Sequence, residues 1–397
     1  MHDTDVDPTA DPDDATDGVD ALSPETLAAR LRAGEPVSVL DVRNRDEADA
    51  WPLPGEAVTT TQIPYYRFVQ AGVNDTVAEI AAEVRESLTE PIVVVCGRGE
   101  ASATVADQLG TVGVDAVNLA GGMEAWARVC HTADIETEAA DRVVQYQRPS
   151  SGCLSYLVVS GDEAVVIDPL RAFTDRYVDG AREFEADIVA AVDTHVHADH
   201  VSGVRALGGT SSAVVPAGAR DRGLAFEARL VDGGDSLSVR GTTLDVVALP
   251  GHTTEMVGYR LGDLLFAGDT VFLDSVARPD LEAGDEGAPD AARQLHATLT
   301  TLDDDVRIAP GHCSPTAQPD ERGAYVERMG RLRDRLGLRS LDREAFVDRL
   351  LDRMPPQPAN YEEIIEVNLG LETVDDDESF ELELGPNNCA ASPTSAD

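Results

Sequence analysis

The stretch Thr194-His195-Val196-His197-Ala198-Asp199-His200 constrains this chain more than any other. Three histidines and an aspartate fall within six residues, directly after the apolar run 188–192. A strand over that run would end in a tight loop, with His195 and His197 two positions apart on one face. Asp199 and His200 would then open a helix. Imidazole and carboxylate at this density suit borderline divalent cations, so these four side chains read as metal ligands. The whole chain holds only eight histidines, and three stand here.

Three further apolar runs point to the same place. Residues 244–249 lead into Pro250-Gly251-His252-Thr253, residues 264–267 into Gly268-Asp269-Thr270, and residues 306–309 into Pro310-Gly311-His312. Each reads as a short strand that stops at a glycine and delivers a His or Asp at its carboxyl end. Ligands at the ends of neighbouring strands converge, and glycine lets the backbone turn sharply beside them. The candidate ligand set is therefore His195, His197, Asp199, His200, His252, Asp269 and His312.

A chain of 397 residues has room for two or more domains, each burying its own core. No run of 18 apolar residues occurs and the first residues are Asp-rich, which argues against a membrane span or signal peptide. Five cysteines, odd in number and widely spaced, do not make a disulfide framework, so a reducing cytoplasm is expected. Acidic residues number 74 against 31 basic ones, a formal net charge of −43, and every basic residue is Arg. Such a surface repels nucleic acid and anionic membrane, so neither is expected as a partner. Its even spread along the chain reads as adaptation to high salt, where screening quenches the self-repulsion.

Residues 1–20 carry eight Asp and few apolar side chains, and read as a disordered acidic tail. Ser23-Pro24-Glu25 reads as an N-cap with Pro at the first helical position, leading a helix over 26–32. Buried strands are expected at 37–43, 92–95 and 114–119. Helices follow at 102–109 and from Gly121, the alternation of a parallel α/β domain over 21–132. Between them, Cys96 stands at a strand end, in the loop Cys96-Gly97-Arg98-Gly99 that runs into a helix. Backbone N–H groups and the helix dipole there favour a thiolate, and Arg98 could add to them. Such a sulfur can take up sulfane sulfur and hold it as a persulfide.

Residues 133–141 read as a polar linker, and 142–315 as the metal domain. Hairpin turns are expected at 160–163, 240–242 and 261–263, and helical pattern at 201–207 and 290–300. Residues 316–397 read as a C-terminal extension with helices over 321–336 and 342–354, an edge strand at 380–384 and a loose end. His2, His131 and His296 stand outside any constellation and read as surface residues. Cys130, Cys153, Cys313 and Cys389 read as inert thiols.

The motif series His195-x-His197-x-Asp199-His200, Pro250-Gly251-His252-Thr253, Gly268-Asp269-Thr270 and Pro310-Gly311-His312 resembles the metallo-β-lactamase fold, over residues 143–315. Within that superfamily, Asp168-Pro169, the segment 194–203, Arg278-Pro279-Asp280 and Pro358-Ala359-Asn360-Tyr361 are similar to the persulfide dioxygenase branch. Residues 21–132 resemble a rhodanese domain through Leu40-Asp41-Val42-Arg43, the Cys96 loop and the segment 119–126. That family often has basic residues where Gly97 and Ala101 stand here, while Arg98 and Ser102 are retained. The implied architecture is a two-domain α/β chain: a parallel rhodanese-like domain, then an αββα sandwich with a helical extension.

The resemblance implies three readings. In the first, Fe(II) held by His195, His252 and Asp269, with His197, Asp199, His200 and His312 supporting, oxidises a small-molecule thiol persulfide to sulfite, and Cys96 carries sulfane sulfur. In the second, two Zn ions use all seven residues, with Asp269 bridging, to hydrolyse a thioester in the manner of glyoxalase II. The third is a sulfur carrier whose metal domain is structural. The sequence leaves the oligomeric state open, a dimer being one option.

Overall fold

The computed structural model describes residues 21–209, 212–355 and 357–385. The acidic tail, His2, Pro356 and Cys389 lie outside them. The chain divides into two compact units, one taking residues up to Asp49 with Ala57–Trp126, the other Ala50–Glu56 and everything from Ala127. Among the described residues no helix is long and apolar enough to cross a membrane.

The first unit holds strands β1 (Ala21–Leu22), β2 (Val37–Asp41), β3 (Val58–Gln62), β4 (Ile92–Val95) and β5 (Ala116–Leu119). They form one sheet in the order β1-β5-β4-β2-β3, every pairing parallel. The central β4 is β-branched throughout and buried at all four positions, as a strand covered on both faces must be. Ser23 caps the first helix, Pro24–Arg32, by accepting from the Thr26 N–H, and Pro24 takes the position where no N–H is needed. At the end of β2, Asp41 receives both the backbone N–H and the guanidinium of Arg43. Both side chains are almost fully buried, so removing one partner would cost about 3–5 kcal/mol.

The second unit is a sandwich. Strands β6 (His131–Asp134), β7 (Arg142–Gln147), β8 (Leu154–Ser160), β9 (Glu163–Ile167), β10 (Asp187–Val192), β11 (Ser212–Pro216) and β12 (Arg229–Val231) form one sheet in sequential order. Strands β13 (Ser236–Val239), β14 (Thr242–Ala248), β15 (Val257–Leu261), β16 (Leu264–Gly268), β17 (Arg307–Pro310) and β18 (Glu327–Arg328) form the other. Tyr156, Val158 and Ile167 of the first sheet and Val246, Tyr259 and Phe266 of the second share the inner core. The outer face of the first sheet packs on helix Thr174–Glu183 through Tyr177 and Ala181. The outer face of the second packs on the helical span Asp280–Thr301 and the helices Met329–Arg335 and Arg343–Leu351.

Several local expectations change. Part of the expected linker is β6, because Ala133 and Ile135 bury into the inner core. Asp199 and His200 do not start a helix, and residues 201–207 supply only the beginning of a 3-10 turn, Ala206–Gly209. The helix expected over 321–336 shrinks to Met329–Arg335, because 327–328 are drawn into the sheet edge beside β17. The alternating segment 380–384 is not a strand. Its first three residues belong to helix Asp376–Leu382, whose capping box pairs Asp375 with Glu378, worth about 1 kcal/mol. His296 is half-buried against the Phe346 ring, 5.2 Å between centroids.

Candidate metal centre and thiol loop

The loop after β10 is aimed by Asp168, at the end of the neighbouring β9. Asp168 sits in the left-handed region at φ +49, a strained conformation for a residue with a side chain. Its carboxylate accepts the Thr194 N–H at 2.7 Å and the Thr194 hydroxyl at 3.0 Å. With that proton committed, Thr194 Oγ1 accepts from His195 Nδ1, 3.0 Å away, so the lone pair of His195 lies on Nε2. His252 is set the same way by a different acceptor. Its Nδ1 donates to the Arg278 carbonyl at 2.7 Å, which again leaves Nε2 free.

Both Nε2 atoms lie 3.9 Å from Asp269 Oδ2, and the two rings meet edge to face at 82°. All three atoms are buried without a hydrogen-bond partner among the described residues. Three orphaned donor atoms of this chemistry, within 4.8 Å of one another, fit a cation. Two glycines make the convergence possible. A Cβ on Gly268, at φ +46, would fall 2.3 Å from Thr194 Oγ1, and one on Gly311 would fall 2.4 Å from Asp269 Oδ1.

The remaining histidines are engaged differently. His312 donates Nδ1–H to Asp269 Oδ1 and Nε2–H to Asp199 Oδ2, each at 2.7 Å. A ring between two carboxylates carries both protons, and although burial opposes charge, Asp269 and Asp199 raise its pKa well above the ordinary value. His200 gives Nδ1–H to the same Asp199 oxygen at 3.1 Å. His197 turns Nε2 toward Asp168 at 3.3 Å and Asp193 at 3.6 Å. Burial and His200 oppose its charge, but those carboxylates prevail and push its pKa to about 9. His195 goes the other way. Burial and its histidine neighbours hold it well below the ordinary value, neutral and able to ligate. Asp199, His200 and His197 nonetheless form a second grouping whose ligand atoms lie within 4.8 Å of one another, with Asp199 Oδ1 and His200 Nε2 unpartnered among the described residues.

The thiol loop is built from one segment. Cys96 directly follows β4, and its Sγ receives the Gly99 N–H at 3.0 Å, the Ser102 hydroxyl at 3.1 Å and the Ser102 N–H at 3.4 Å. Donors aimed at sulfur from the first turn of helix Glu100–Thr111 suit an anionic sulfur. Arg98, expected to favour the thiolate, also has a partner on the following helix. Its side chain is 66% exposed and its Nε donates to Glu124 at 2.6 Å, while Ser102 makes hydrogen-bond contact with the thiol.

Four supporting residues carry little or no sequence signal. Cys153, expected as an inert thiol, lies buried 3.2 Å from Asp199 Oδ2 and within ligand distance of His312. The Arg278 carbonyl acts through the backbone, which residue type does not reveal. Asp193 holds the loop through both carboxylate oxygens on Ser202, at 2.9 and 2.8 Å. Asn368, in helix Tyr361–Leu369, donates to the carbonyls of His197 and His200 at 3.0 and 2.9 Å and accepts the Ser202 N–H. Nothing in its spacing marks it.

Comparison with known proteins agrees with this architecture. Residues 23–129 match the rhodanese-like domain, and residues 149–312 the metallo-beta-lactamase superfamily. The hydroxyacylglutathione hydrolase of Parasynechococcus marenigrum is 29% identical over 167 residues, 40% of this chain and 64% of that protein. The mitochondrial persulfide dioxygenase ETHE1 of Bos taurus is 28% identical over 236 residues, 58% of this chain and 89% of that one. The crystal structure of ETHE1 from Myxococcus xanthus superposes with a TM-score of 0.50 at 28% identity, over 57% of this chain and 97% of that one. The chain thus carries a rhodanese-like domain followed by a domain of the metallo-beta-lactamase superfamily.

Proposed function

We propose that this chain is an Fe(II)-dependent persulfide dioxygenase with a sulfurtransferase domain of its own. One observation carries the reading: the histidines divide their nitrogens unequally. His195 and His252 give Nδ1–H to neutral oxygens and aim a free Nε2 at Asp269 Oδ2. His312 spends both nitrogens on carboxylates. Two imidazoles and one carboxylate form a ligand set characteristic of non-haem iron oxygenases.

Iron bound to His195, His252 and Asp269 would supply open positions for O2 and for a persulfide sulfur. The chain's own contribution is to hold those donors. Thr194 and the Arg278 carbonyl fix the two rings, and His312 pins Asp269 by Oδ1 so that Oδ2 faces the site. The net reaction balances as persulfide, O2 and water giving thiol, sulfite and two protons. In the other domain, the Cys96 thiolate attacks the sulfane sulfur of thiosulfate. The S–S bond breaks, sulfite leaves with the electron pair, and Cys96 keeps the sulfur among the Gly99 and Ser102 donors.

A second reading, a binuclear zinc thioester hydrolase, draws on the unpartnered Asp199 Oδ1 and His200 Nε2 and on similarity to hydroxyacylglutathione hydrolase. An oxygen electrode separates the two. Given a low-molecular-weight thiol persulfide, the protein should consume O2 and release sulfite in equal amounts. Thioester cleavage without O2 uptake would establish the hydrolase instead.

A further inference from the structure

An open cavity of about 810 Å³ lies on the second unit, away from the histidine cluster in its lining, and Arg205, Arg220 and Arg229 all line it. Three arginines lining one hollow are unexpected on a chain with 31 Arg against 74 acidic residues. The arginines buried most deeply elsewhere are neutralised. Arg43 pairs with Asp41, Arg148 with Glu383, Arg222 with Glu255 and Arg278 with Asp280. A charge taken out of water needs such a partner, because desolvation otherwise costs several kcal/mol.

Arg205 is half-buried, and no ion pair joins it to a carboxylate among the described residues. Its Nη2 donates to the Val367 carbonyl at 2.6 Å, and the guanidinium lies 5.2 Å over the Phe226 ring, so it is held in place. Burial and the nearby Arg171 lower its pKa, with only Asp193 acting the other way. Asp193 is already committed to Ser202. Arg229 uses Nη2 on the Ser236 carbonyl, at 2.9 Å, and likewise makes no ion pair among the described residues. The cavity has one acidic lining residue, Glu227, and an apolar side that includes Phe226 and Leu230.

We propose that this cavity binds a small organic anion bearing at least two negative charges, with an apolar or aromatic body against Phe226 and Leu230. The volume is that of a small-molecule site. Phosphate esters and polycarboxylates share the required chemistry, since Arg forks match both. The site also touches the element that clasps the metal loop: Arg205 bonds to Val367, and the next residue, Asn368, holds the carbonyls of His197 and His200.

Calorimetric titration of the full-length protein at constant ionic strength tests this, with ADP as one probe and citrate as the other. The expectation is saturable one-to-one binding of at least one probe. Arg205→Gln should weaken it at least tenfold, and so should the exposed Arg220→Gln, which leaves the fold undisturbed. ADP binding alone would identify a phosphate ester, and citrate binding alone a polycarboxylate. Absence of binding by both probes, or binding that neither variant weakens, would overturn the proposal.

Discussion

The thiol loop and the metal centre each fix reactive atoms, but by opposite means. Among the described residues, the hydrogen-bond donors to Cys96 Sγ are Gly99 and Ser102, within six residues. The metal centre is assembled from strand ends at Asp168, His195, His252, Asp269 and His312, and its loop is held by Asn368, more than 160 residues further on. The difference teaches where damage should stay. A local cradle depends on one segment, so a substitution there should silence one chemistry only. An assembled centre shares atoms, so Asp269 serves the orphaned cluster by one oxygen and His312 by the other. A change at one member should reach the others.

The largest effect should come from Asp269→Ala. It removes one of three convergent donors and leaves His312 a single carboxylate. Bound metal should fall below about a tenth of a mole per chain, since loss of mere supporting partners already costs 10–100-fold. Persulfide-dependent O2 uptake should vanish with it, while thiosulfate sulfur transfer at Cys96 continues. Metal analysis and the two assays on one preparation check this. Loss of both activities together would erase the contrast between the two sites.

Cys96→Ser is the reciprocal variant. Serine keeps the size and the hydrogen bonds but lacks a polarizable thiolate, so sulfur transfer from thiosulfate should drop below detection. Metal content and sulfite formation from an added persulfide should stay within about twofold, because the donors to Sγ, Gly99 and Ser102, belong to the thiol's own loop and helix. Undiminished sulfur transfer would mean that Cys96 is a packed thiol.

Sequence and structure agree best where chemistry and periodicity coincide. The strand-Gly-His and strand-Gly-Asp runs deliver His252, Asp269 and His312 at strand ends beside His195, because strand direction and glycine clearance are local properties, while the sandwich was expected from the family resemblance. The Cys96 loop is legible for the same reason. What the sequence concealed depends on atoms without residue-type signals, such as the Arg278 carbonyl, or on distant contacts, such as Asn368. The ion pair of Arg98 with Glu124, 26 residues on, was likewise not legible in the sequence. The segment 380–384 misled because five alternating residues are too few to separate a strand from a capped helix, and Asp375 decided it.

A smaller effect should follow His312→Ala. In the iron reading this ring supports Asp269 without ligating, so affinity should fall about 10–100-fold and much of the iron should remain at saturating supply. Complete loss of iron would place His312 among the ligands and blur the division between its nitrogens and those of His195 and His252.

The most direct test of the central claim is the metal content of the full-length protein purified without oxygen, set beside O2 uptake after separate reconstitution with Fe(II) and with Zn(II). The account predicts one iron per chain, bound at His195, His252 and Asp269, with O2 uptake restored in proportion to the iron. Two zinc ions per chain, accompanied by thioester hydrolysis and no O2 uptake, would contradict it.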